Sequence, residues 1–142
     1  LYERPATLTV ARFIGTPSIN LLPIEIAPSG QVSAWARDLG LQTQGGRAGR
    51  GTLGVRAEDF EPAATGLAAR ILRTETHGAD RFATCQLLAD EGVRVVMRQK
   101  AGEATGADGD GLLHLRFAKR RAHLFDAAGL RCEVASVERM AA

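Results

Sequence analysis

The strictest constraint on the fold lies between Leu67 and Lys100, where polar and apolar residues alternate in runs broken at Gly78 and at Asp90-Glu91-Gly92. The clearest run is Val93-Arg94-Val95-Val96-Met97-Arg98. It places Val93, Val95 and Met97 on one face and Arg94 and Arg98 on the other. A period of two is the signature of a strand with one face on a core and one in water. The stretch predicts a β-meander with turns at those two positions. Nothing in it suggests a nucleophile, a metal cage or a phosphate loop, so it reads as scaffold.

The flanking sequence continues the pattern. Ile19, Leu21, Leu22, Ile24 and Ile26 make an apolar strand stopped by Pro28-Ser29-Gly30. Gln31 to Leu41 fits alternation through Val32, Ala34 and Ala36, although Val32 and Trp35 also fit helical spacing. Thr52 to Val55 is a short strand, Glu61 to Gly66 a linker, and Ala101 to Gly111 a mobile hairpin loop rich in Gly, Ala, Asp and Glu. Leu113, Leu115 and Phe117 alternate with His114 and Arg116. Ala118 to Ala122 then turns the chain into a strand at His123-Leu124-Phe125. Asp126 to Gly129 is a tight turn, and Cys132, Val134 and Val137 close with a last strand. Roughly eight to ten short strands separated by turns predict a closed or nearly closed β-barrel. The exception is Pro5 to Gly15. There, Pro near the start, Gly at the end and an apolar stripe of Val10, Phe13 and Ile14 predict a short helix.

Composition agrees with a β-fold rich in turns. Of 142 residues, 5% are aromatic and 16 are glycine, and the length suits one domain or two small packed halves. A net charge of +2 is too mild for a typical nucleic-acid binder. Cys85 and Cys132 are not at metal-ligand spacing; they could form a single disulfide, but free buried thiols in a reducing compartment are the commoner reading. No run of about 18 apolar residues is present to cross a membrane as a helix. The opening Leu1-Tyr2-Glu3-Arg4-Pro5, without Met or a signal-peptide pattern, reads like the middle of a longer protein.

Residues that could carry chemistry are sparse. His77, His114 and His123 are too scattered for a zinc site, which needs three or four convergent ligands. The glycine-rich run from Gly45 to Gly51, with Arg47 and Arg50, lacks the Lys-Ser/Thr pair that opens the helix after a phosphate loop, so it reads as a solvated connector. Lys119-Arg120-Arg121, with Arg116 and Arg131 nearby in sequence, could face an anion on a barrel rim. Stacking platforms for a nucleic acid would have to come from Phe117 and Phe125, which fit better as core. A solvated turn is the simpler reading of that cluster.

The chain resembles a known family. Leu1-Tyr2-Glu3-Arg4-Pro5-Ala6 through Val10-Ala11-Arg12-Phe13-Ile14-Gly15-Thr16-Pro17 is similar to the Y-x-x-P-A-N-x-F-V-A-x-F-I-G-S-P segment of ATP-binding subunits of carbohydrate-type ABC importers. Ser18-Ile19-Asn20-Leu21-Leu22 resembles the M-N-F-L after it. Leu53-Gly54-Val55-Arg56-Ala57-Glu58-Asp59 resembles L-G-I-R-P-E-H, with Ala57 and Asp59 in place of Pro and His. Glu75-Thr76-His77-Gly78 is similar to E-x-x-G, and His123-Leu124-Phe125-Asp126 with Gly129 to H-L-F-D-x-x-T-G. These motifs occur in the family's order. Thr7 replaces the Asn of P-A-N, and the region from Gly30 to Arg50 has no counterpart among them.

The resemblance implies an all-β, OB-like barrel domain of two OB-type subdomains (the transport-associated OB-like domain, TOBE) with a short N-terminal helix. Residues 1–17 would be the tail of a nucleotide-binding domain and residues 18–142 the regulatory domain. It further implies a dimerising, regulatory region of an importer ATPase for a sugar, polyol or glycerol-phosphate-type solute. Such a subunit would lie at the cytoplasmic face of the membrane with permease partners and, in some members, a cytoplasmic regulator. No catalytic, cofactor-binding or metal residue is expected within the chain; ATP and Mg would belong to the parent subunit. The motif positions Phe13, Gly15, Pro17, Asn20, Gly54, Arg56, Glu58, Glu75, Gly78, Phe125 and Asp126 carry structural or subunit-contact roles by this resemblance. Two alternatives use the arginines at Arg47, Arg50 and Arg116 to Arg121: a small-ligand or oxyanion-binding OB module, and a single-strand nucleic-acid-binding one.

Overall fold

The computed structural model describes residues 19–44 and 47–134. The expected helix from Pro5 to Gly15, and with it Phe13, Gly15 and Pro17, lies outside the described residues, as does Val137. The strands in chain order are β1 (Asn20–Ile26), β2 (Gln31–Ala34), β3 (Arg37–Gln44), β4 (Gly49–Val55), β5 (Phe60–Ala63), β6 (Leu67–His77), β7 (Asp80–Leu87), β8 (Arg94–Lys100), β9 (Leu112–Phe117), β10 (His123–Asp126) and β11 (Arg131–Val134). Single 3-10 turns occur at Ala57–Asp59 and Lys119–Arg121. The described chain is all-β, as expected. It divides into two compact units, one running to Val55 and resuming at Lys119, the other Arg56–Ala118. The second unit is thus inserted in sequence between β4 and β10 of the first.

The first unit is a closed barrel in the order β1-β2-β3-β11-β10-β4. Alternation builds it: Leu22, Ile24 and Ile26 of β1 are buried while Pro23 and Glu25 are exposed. They meet Val32, Leu41, Leu53, Val55 and Leu124 in the core. Pro23 has no N–H to donate, and it lies outside the short stretch, Glu25 and Ile26, where β1 pairs with β2. The strand reading of Gln31 to Leu41 holds, with a reversal inside it. Ala34 pairs with Arg37 across a two-residue turn in which Trp35 and Ala36 have φ of 50° and 62°. Positive φ at both central positions is the type I′ pattern, whose twist matches that of a hairpin.

The glycine-rich run departs from expectation. Gly49 and Gly51 belong to β4, which pairs with β1 on one side and β10 on the other. A Cβ on Gly51 would sit 2.5 Å from the Phe125 carbonyl oxygen and 3.1 Å from Ile26 Cδ1. Here glycine serves close strand approach rather than a solvated connector.

The second unit is a five-stranded sheet in the order β5-β9-β6-β7-β8. The meander predicted from Leu67 to Lys100 is β6-β7-β8, turning where expected. Val95 and Met97 are buried, and Gln99 continues that face. Phe60, Leu67, Ala69, Cys85, Leu87, Leu113 and Leu115 complete the core. The edge strands β5 and β8 approach each other without forming a ladder. A five-stranded, partly open barrel is the OB architecture.

The Ala101 to Gly111 connection, expected to be mobile, is stitched down. Arg81 donates from Nη1 to the Ala101 carbonyl (3.2 Å) and from Nη2 to the Glu103 carbonyl (2.7 Å) and Gln99 Oε1 (2.8 Å). Gln99 Nε2 in turn donates to the Thr105 carbonyl at 3.0 Å. Farther along, Asp108 Oδ1 accepts from the backbone of Asp110 (2.8 Å) and Leu112 (3.0 Å). These bonds hold its carboxyl below the usual carboxylate range.

Candidate functional site

The described motif positions fall into two groups, one in each unit. In the barrel, Asn20, Gly54, Phe125 and Asp126 lie on the adjacent strands β1, β4 and β10. Asn20 pairs with Val55, Gly54 with both Leu21 and His123, Phe125 with Thr52, and Asp126 with Gly51. Phe125 is fully buried and clusters with Ile19 and Leu21. Gly54 leaves room for Ile19, whose Cδ1 would lie 2.8 Å from an added Cβ. Asp126 builds the turn after β10. Its Oδ1 accepts from the Ala128 N–H (2.9 Å) and the Leu130 N–H (3.1 Å), while Gly129 reverses the chain with φ 81°. Beside them, Arg131 Nη1 donates to His123 Nδ1 at 2.9 Å. These motif residues are buried and packed together across adjacent strands.

In the second unit, Arg56 is buried and Glu58 is exposed on the first 3-10 turn. Glu75 and Gly78 occupy the tip of the β6–β7 hairpin. His77 pairs with Asp80, and Gly78 takes the first central position with φ 62°. A positive φ there is what a type II′ turn demands, hence glycine. Glu75 lies 3.5 Å from Arg73 Nε and 3.3 Å from His77 Nε2, and the His77 ring stands edge-on to Phe82 at 5.8 Å.

Also in this unit is an open groove of about 340 Å³, lined by Glu58, Phe60, Glu61, Asp80, Arg98 and Glu103 among others. Two of its carboxylates are paired. Arg98 Nη2 lies 3.0 Å from Asp80 Oδ2, and Glu61 is held by Arg116. Sequence reasoning missed Arg81 and Gln99, which hold the loop at the end of this groove, because no motif marks a strand residue that reaches across to backbone carbonyls.

The chemistry available is limited. Burial pushes the Cys85 thiol up to about 11. It also raises that of Cys132, helped by Asp126 and opposed by Arg131. Both are free and buried, the reverse of a reactive thiolate. Among the described residues no cluster of His, Cys, Asp and Glu could hold a metal ion. His77 and His114 are exposed on different strands, and His123 is buried against Arg131. Lys119, Arg120 and Arg121 are exposed on their 3-10 turn, but Arg116 and Arg131 are engaged by Glu61 and His123.

Relatives match nearly the whole chain. The sn-glycerol-3-phosphate import ATP-binding protein UgpC of Yersinia pestis is 33% identical over 142 residues, covering 94% of this chain and 38% of that protein. UgpC of Chromohalobacter salexigens is 34% identical over 137 residues, covering 92% and 36%. An ABC transporter ATP-binding protein of Sinorhizobium fredii is 33% identical over 134 residues, covering 89% and 34%. This chain belongs to the ABC importer ATP-binding subunits. It corresponds to the C-terminal part of the carbohydrate-type members and spans 38% of the length of the UgpC relative. No family model matches it. Of the motif positions, Asn20, Gly54, Phe125 and Asp126 lie together in the barrel, and Glu75 and Gly78 lie at the hairpin tip.

Proposed function

We propose that this chain is the regulatory and dimerisation region of an ABC importer ATP-binding subunit that serves glycerol 3-phosphate or a similar polyol or sugar solute. The observation that carries the proposal is similarity to glycerol-3-phosphate import ATP-binding proteins along nearly the whole chain, and the all-β fold with its closed barrel supports it. ATP and Mg would be held by the nucleotide-binding domain of the parent. That parent would work at the inner face of the plasma membrane with permease subunits, while this region pairs with a second copy and offers a surface to a cytoplasmic regulator.

In this reading the region alters hydrolysis only by setting how two ATPase domains meet. The test is to join the chain to its nucleotide-binding domain and compare ATP turnover and transport with and without it. The 142-residue chain should hydrolyse no ATP, and its removal should change the coupling of hydrolysis to transport. ATP turnover by the chain alone, or unchanged coupling after its removal, would overturn the proposal.

A further inference from the structure

The β6–β7 hairpin runs beyond the sheet that supports it. On one side β6 pairs with β7 all the way to His77. On the other it pairs with β9 only from Leu67 to Arg70, and the last bond on that side is Ile71 N–H to the Gly111 carbonyl at 2.8 Å. From Leu72 to His77 the outer edge has no ladder partner among the described residues, and every one of those residues is exposed. The ladder with β7 shifts register between Ile71 and Arg73, a β-bulge at Leu72, and beyond it the Arg73–His77 edge, which includes Thr74 and Thr76, holds no Pro or Lys. An edge of this kind is a template for another strand.

The direction of its free groups follows from the turn. His77 and Asp80 close the two-residue loop, so His77, Glu75 and Arg73 exchange hydrogen bonds with β7. Thr74 and Thr76 therefore aim their N–H and C=O outward. Side-chain charge then selects the partner. In an antiparallel pair of two identical edges centred on Glu75, Glu75 would face itself, which is repulsive. Centred on Thr74, Thr74 faces the partner's Thr74, and Arg73 faces the partner's Glu75 on both sides of the axis. That opposition falls at non-hydrogen-bonded positions, where facing side chains are closest. Arg73 and Glu75 already share a face within one chain, 3.5 Å apart, so two copies would bring four charges together with alternating sign.

We propose that β6 of one copy pairs with β6 of a second copy through this edge, in antiparallel register about Thr74. The inference rests on the homodimer reading above and names its contact.

Sedimentation equilibrium of the 142-residue chain tests it. Arg73→Glu and Glu75→Arg should each weaken association roughly tenfold or more, since two facing pairs turn repulsive. The double variant should restore it. Thr74→Pro removes an outward N–H and leaves the β7 ladder intact, so it should abolish association while the circular dichroism of the folded chain is kept. A dimer indifferent to Thr74→Pro and to both charge reversals overturns the β6 edge and leaves the homodimer standing. Association lost in Thr74→Pro but not restored by the double swap overturns the Thr74 register. A strict monomer at the highest soluble concentration overturns both inferences.

Discussion

Trp35 and Ala36 both sit in the left-handed region, at φ 50° and 62°, without the glycine that such a turn favours. A Cβ in that conformation costs about 1–2 kcal/mol, and glycine gives back part of the relief through its larger unfolded-state entropy. Ala36→Gly should therefore stabilise the chain by about 0.5–1 kcal/mol, read as a higher midpoint in urea unfolding. Cys85 makes the opposite kind of statement. Its thiol ionises at about 11 in the folded chain against 9.0 for an unperturbed thiol. The folded state thus favours the neutral form. That contribution is complete below pH 9 and is lost as pH rises toward 11, because the unfolded chain ionises first. Thermal midpoints should fall across that window in the parent chain and less so in Cys85→Ala. Alkylation of Cys85 at neutral pH should require unfolding.

The stitched 101–111 connection shows how one side chain can turn a loop into a fixed element. Arg81 holds two carbonyls of the loop and the Gln99 side chain that binds a third. Arg81→Ala should free the segment around Glu103 and Thr105, raising its amide exchange and its cleavage by protease while the β6-β7-β8 meander stays protected. The sequence offered only Gly, Ala, Asp and Glu there, a composition that indicates turns but not what binds them. Strand elements were far more legible. The breaks at Gly78 and at Asp90-Glu91-Gly92 fall between strands, and the turn from Asp126 to Gly129 begins on the last residue of β10, because turn chemistry is a property of the residues in the turn. The Gly45 to Gly51 run misled for the complementary reason. Gly51 is glycine because β4 runs close to its neighbours there, and that requirement lies in residues far along the chain.

The two units each close their own ladders. In the barrel, every strand pairs within the set β1, β2, β3, β4, β10 and β11. Replacing Arg56–Ala118 by a short linker should therefore leave a folded barrel, detected as a cooperative unfolding transition with the Phe125 core retained. Loss of all cooperative structure would show that the barrel depends on its insertion.

Alternation and turn residues, both local, were sufficient for the all-β class and for the meander, while the resemblance to importer ATP-binding subunits rested on ordered motifs. They also placed Phe125 in a core and Asp126 in a turn. They could not decide which strands pair. That Gly54 lies between Leu21 and His123, that the meander belongs to a unit inserted between two strands of a barrel, and that the end of β6 is left with an open edge are matters of long-range pairing. Such pairing depends on which distant strands bury their apolar faces together, a choice made only when the whole chain closes.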